Sequence, residues 1–178
     1  MSTPKAPDPA KLVVSVFMKE QQVFDQIFDR LEQIAGPCDI ISKWLDFDFT
    51  DYYYKEMGSP LYRRLIAFKP LIEQASLAAI KLATNSLERE CLDQGNRQVN
   101  IDPGYLLSSR FVLATGKEYS HRIYIGHNIY ADLTLMYTKK GFKTLEWTYP
   151  DYASTAVTGF LEKVRNKYLL DLKERKIL

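Results

Sequence analysis

Cysteine is nearly missing from this chain. Cys38 and Cys91 are the only two, and their separation fits neither a CxxC redox pair nor the ligand spacing of a zinc site. Both are expected to be reduced, buried small side chains. Long apolar runs are lacking too: no stretch of ~18 residues could cross a bilayer, and prolines stand in MSTPKAPDPAK where a signal peptide carries its apolar segment. The expectation is a cytoplasmic protein without a membrane partner. An excess of one charge is absent as well. A net charge of +2 implies no nucleic-acid partner, because such binding rests on several clustered cations.

Several catalytic and nucleotide motifs are also missing. A P-loop needs GxxxxGK[ST], so that backbone N–H groups wrap the phosphates. The nearest fragment, Ala114 to Glu118, has Phe111 in place of the first glycine and Glu118 in place of Ser or Thr. No GxGxxG follows a strand, and neither GxSxG nor HExxH occurs. Lys140-Gly141-Phe142 begins like an RNA-binding RNP1 motif, but Lys143-Thr144-Leu145 breaks it.

What is present suits a globular domain: 46% hydrophobic and 26% charged residues over 178 positions, enough to bury a core without metal or disulfide staples. The aromatic share is high, with 12 tyrosines and 9 phenylalanines. Residues 1–10 are expected to be a disordered tail and 11–178 a single α+β domain. Leu12 to Phe17 reads as a buried strand. Val23, Phe24, Ile27, Phe28, Leu31 and Ile34 mark a helix that Gly36-Pro37 stops. Ile40 to Thr50 alternates like a strand with one wet face, and Leu61 to Phe68 reads as a third strand. Pro70 is expected to open a second helix, with Ile72, Ala75, Ala79, Leu82, Ala83 and Leu87 on its apolar side and Gly95-Asn96 at its end.

With Gln98 to Ile101 as the next strand, the order becomes a ferredoxin-like β-α-β-β-α-β unit. An antiparallel meander extends it: Phe111 to Thr115, Arg122 to Ile125, Ile129 to Tyr137 and Phe142 to Trp147, with turns at Gly126-His127-Asn128 and Lys139-Lys140-Gly141. A final helix covers roughly Thr155 to Lys176.

Polar residues gather in segments that otherwise read as β-structure. Asn100 and Asp102 share one parity before Pro103-Gly104, which is expected to turn the chain at a sheet edge. There Asp102 suits a base or a ligand for a divalent metal ion, Asn100 suits orienting a substrate, and Arg97 suits clamping a phosphate or carboxylate. The local alternative is an Asx turn. On the second helix Lys81, Thr84, Asn85 and Glu88 form one row, read from periodicity as a solvated face. His121 suits acid–base work beside Arg122, with Lys117 adding charge. Tyr53 and Tyr149 suit stacking, and Glu56 suits holding an ion; packing at a sheet edge is the alternative for the rings.

The segments FTDYYYKEMG (49–58), IKLATNSLE (80–88), RQVNIDPGYL (97–106), LATGK (113–117), HRIYIGHNIYADLTL (121–135) and WTYPDY (147–152) together resemble domain-of-unknown-function family 4416. Members often carry the label "GTP-binding protein". The resemblance implies that the row from Lys81 to Glu88 points into a cleft, with Lys81 as an anion ligand. The expected partner is a small anionic ligand, a nucleotide or phosphorylated metabolite. The rival is a non-catalytic protein- or RNA-binding module with an aromatic-rich surface.

Overall fold

The computed structural model describes residues 1–177. Strand β1 (Ala10–Met18) is buried along its whole length, as a β-branched run at the centre of a sheet must be. Helix α1 (Phe24–Ala35) follows and ends at Gly36, whose φ of 83° favours glycine. Then come β2 (Cys38–Ile41), β3 (Leu45–Asp46), the single turn α2 (Tyr54–Met57) and β4 (Tyr62–Ile72). Helix α3 (Leu77–Glu90) leads to a hairpin of β5 (Leu92–Asp93) and β6 (Asn96–Arg97), and the chain returns as β7 (Val99–Leu106). Strands β8 (Arg110–Thr115), β9 (Arg122–Tyr124), β10 (Tyr130–Thr138) and β11 (Gly141–Thr144) precede the last helix, α4 (Thr155–Ile177).

Helix and strand are mixed along the chain. The main sheet runs β11-β10-β8-β7-β1-β4-β2, with β3 pairing off β4 and β9 off β10, and its ladders are antiparallel. On one face Leu12, Val14, Val16 and Met18 pack with Phe24, Ile27 and Leu31 of α1 and Leu87 of α3. On the other, Val13, Leu65 and Ala67 belong to a core that includes Val157, Leu161, Val164 and Tyr168 of α4. Fully buried Lys11 ties β1 to Asp39 at 2.5 Å and to Asp171 of α4 at 2.7 Å. No helix among the described residues is long and apolar enough to cross a membrane.

Several local expectations are corrected. Pro70 does not open a helix; it lies in β4, where Phe68, Lys69 and Pro70 bulge opposite Leu12 and no ladder N–H is required. Helix α3 starts only at Leu77, and the tight turn after it is Gln94-Gly95, both at positive φ, in place of a stop at Gly95-Asn96. Residues 40–50 are not one strand: β2 ends at Ile41, and the Ser42 hydroxyl accepts the Leu65 N–H at 3.0 Å where the ladder is interrupted. Pro103-Gly104 is no turn, because β7 runs straight through to Leu106. The meander is also re-ordered, since β9 pairs with β10 and not with β8. Residues 1–9 lie outside any helix or strand.

Candidate functional site

The site begins with a split in the sheet. β7 pairs with β1 from Val99 to Leu106, but with β8 only from Gly104 to Leu106. Proline has no N–H to offer a neighbouring strand, and Pro103 stands where the ladder with β8 stops. Just beyond it the two strands touch closely: a Cβ on Gly104 would lie 2.6 Å from the Val112 carbonyl oxygen. Before Pro103, β7 is left with backbone groups that have no strand partner. Helix α3 supplies the replacement, for Lys81 Nζ donates to the Ile101 carbonyl at 2.7 Å and the Glu88 carboxylate accepts the Ile101 N–H. Lys81 and Glu88 are two helical turns apart, so both reach one strand residue.

This overturns the periodicity reading of α3. Its inward face carries Leu77, Ala78, Lys81, Thr84 and Leu87, while Leu82, expected in the core, is 40% exposed. The polar row faces inward because the backbone of an unpaired strand needs side-chain partners.

Where β7 and β8 part, a cleft of about 720 Å³ opens. Tyr53, Lys81, Asn85, Arg97, Asn100, Asp102, Lys117, Arg122 and Tyr149, drawn from separate segments of sequence, all line it. Phe17, Phe47 and Tyr52 add aromatic wall. Glu56 stands behind the lining. Both its oxygens accept from Arg97, at 2.8 Å from Nε and 2.6 Å from Nη2. These hydrogen bonds hold the Glu56 carboxyl below its usual value and push the guanidinium further up. His121 also lies outside the lining; its ring stacks on Trp147 at 4.9 Å, and its Nε2 is 3.4 Å from Asp132.

Most charges in the cleft are already matched. Arg97 Nη1 donates to Asn100 at 2.9 Å, the Asn100 amide donates to Asp102 at 2.7 Å, and Lys81 Nζ lies 3.2 Å from the same carboxylate. On the opposite wall Arg122 spends Nε on Asp132, Nη1 on the Lys117 carbonyl and Nη2 on the Tyr149 hydroxyl, all within 2.9 Å. Arg122 therefore anchors the loop that carries Lys117. Burial drives the Glu88 carboxyl upward, and burial followed by the nearby Asp102 charge drives the Tyr53 phenol upward. Lys117 stands apart: exposed at the mouth, its Nζ has no hydrogen-bond acceptor or carboxylate partner among the described residues and sits 4.9 Å from the Tyr52 ring centre.

Both oxygens of Asp102 are occupied, by Lys81 and by Asn100, and those of Glu56 by Arg97. Among the described residues no three His, Cys, Asp or Glu side chains gather to hold a metal ion.

Sequence reasoning overlooked one deeply buried residue of the cleft. Arg63 of β4 lines the cleft, is 3% exposed and pairs with Asp151. Its guanidinium lies over the Phe47 and Tyr152 rings at 4.6 and 5.0 Å. The signal was an arginine whose same-parity neighbours, Leu61 and Leu65, are apolar and buried. A charge on the buried face of a strand needs a partner, and it marks a polar interior.

A family described as domain of unknown function (DUF4416) matches residues 8–168, which include every side chain of the cleft. The chain belongs to that family. No curated protein and no solved structure matches it.

Proposed function

We propose that the cleft binds a small anionic ligand with a planar part, a nucleotide or a phosphorylated metabolite. The observation that carries this reading is the convergence of nine nominated side chains on one concavity, with Lys117 as a cation left uncommitted at its mouth. Tyr52, Tyr53 and Tyr149 offer faces on which a ring can stack. Lys117 follows Thr115 and Gly116 at the end of β8, and its backbone is fixed by its own N–H donating to Thr115 Oγ1 and its carbonyl accepting from Arg122, which holds the side chain at the mouth. Binding, not catalysis, is the reading favoured: Asp102 is engaged by Lys81 and Asn100 in a network that braces β7, and His121 stacks on Trp147 outside the lining of the cleft. We also read β1 through β7 as a ferredoxin-like unit. The order β7-β1-β4-β2, with a helix crossing after β1 and another after β4, supports it.

A thermal-shift screen of the full chain against nucleoside mono-, di- and triphosphates, with and without Mg²⁺, tests the functional reading. Lys117→Ala is the informative variant, because it removes the free cation while leaving every structural ion pair in place. A charge-assisted hydrogen bond contributes about 1.5–3 kcal/mol, so its loss should weaken binding by roughly tenfold or more. No shift with any of these, together with a co-purifying RNA or protein, favours a macromolecule-binding module instead.

A further inference from the structure

The inner end of the cleft holds donors without acceptors. Arg63 is 3% exposed; Asp151 takes only its Nη2, while Nε and Nη1 meet no acceptor. The Tyr152 hydroxyl, on a side chain also 3% exposed, and its neighbour, the Ser15 hydroxyl, are likewise buried without partners. A bond between these two hydroxyls would still leave one donor over. Buried polar groups in folded proteins nearly always find partners, so a cluster of orphaned donors lining a cavity marks the place of a missing acceptor.

We propose that Arg63 and Tyr152 form an inner subsite that holds a carbonyl oxygen on the planar ring of the ligand, while its phosphate stays at Lys117 near the mouth. This inference rests on reading the cleft as an anion site. Charge decides which end goes inward. Asp151 already neutralises Arg63, and Asp102 lies on the same cleft, so a phosphate dianion placed this deep would meet no surplus positive charge and would lose its water. A carbonyl brings an acceptor at no such cost. The surroundings are apolar as well: Phe17 and Phe47, stacked on each other with ring centres 4.3 Å apart, and Tyr53 edge-on to Phe17 border the cleft and offer a phosphate no hydration.

Calorimetric titration of the full chain with uridine 5′-monophosphate, adenosine 5′-monophosphate and ribose 5-phosphate tests the subsite. Uracil carries ring carbonyls; adenine carries none. Uridine monophosphate is expected to bind about tenfold or more tighter than the adenosine compound, the ratio one hydrogen bond to a charged donor supplies. Arg63→Lys keeps a charge for Asp151 but removes the unpartnered nitrogens, and should shrink that preference to about twofold or less. Tyr152→Phe, which removes one hydroxyl and keeps the ring, should narrow it by a few fold and serves if the lysine variant does not fold. Equal affinity for the two nucleotides, or an unchanged preference in a folded Tyr152→Phe protein, overturns the subsite and leaves the cleft reading standing. If none of the three compounds binds, the cleft reading itself fails and the subsite with it.

Discussion

Replacing Lys81 by methionine preserves the reach of the side chain and deletes its charge and donors. In the folded chain Nζ serves the Ile101 carbonyl at 2.7 Å and Asp102 at 3.2 Å, and Lys81 is 7% exposed. An unmet buried carbonyl costs about 1–3 kcal/mol. Breaking a fully buried ion pair would cost about 3–5 kcal/mol more, but the Asp102 side chain keeps 30% exposure and the Asn100 amide, so that part falls to about 1 kcal/mol. The sum is roughly 2–4 kcal/mol. Urea denaturation should show it as a lower midpoint with the slope unchanged. Hydrogen exchange at Ile101, whose N–H is held by Glu88 next to Lys81, should accelerate. Glu88→Gln is the control: its amide oxygen still accepts the Ile101 N–H, and the loss should stay below about 1 kcal/mol. A Lys81→Met protein that unfolds at the wild-type urea concentration would show that α3 does not hold the open edge of β7, and the account of the split sheet would be wrong.

Gly104→Ala should destabilise by about 1–3 kcal/mol or more, because the new methyl would press on the backbone of β8 at Val112; a thermal melt equal to wild type would refute that close contact. Lys11→Met leaves Asp39 without its cation, while Asp171 of α4 keeps Lys167, and should cost about 3–5 kcal/mol in urea unfolding. The pH dependence has two opposed parts. Glu88 titrates above its ordinary value in the folded chain, so its contribution is complete below that ordinary value and declines as pH rises through the raised one; Glu88→Gln should remove this decline. Glu56 titrates below its ordinary value, so its contribution is present above that value and is lost as pH falls through the lowered one. Glu56→Gln should flatten the acid limb of a plot of urea midpoint against pH.

The α and β elements were largely legible because periodicity reports which face is buried. β1, α1 and α4 announced themselves by apolar spacing, and the β9–β10 turn by Gly126, His127 and Asn128, all at positive φ. Pro70 and Pro103 misled for a common reason. Each sits inside a strand at a place where the ladder is interrupted, and a single sequence gives no sign of which strand will be missing beside it. Periodicity alone makes the row from Lys81 to Glu88 a wet face, and it took the family resemblance to point it into a cleft; the unpaired edge of β7 explains why Lys81 and Thr84 are buried. The polar residues around Arg97 to Asp102 were found by local density of charge and amide. Arg63 was not, because its importance comes from Asp151, far away in sequence, and from rings that meet it only in the folded chain.

The most direct test of the binding site is a crystal structure of the chain grown or soaked with a nucleoside monophosphate. Ligand density between Tyr53 and Tyr149, with a phosphate oxygen within hydrogen-bond reach of Lys117 Nζ, is the predicted result. Density confined to some other surface, with water alone filling the cleft, would contradict it.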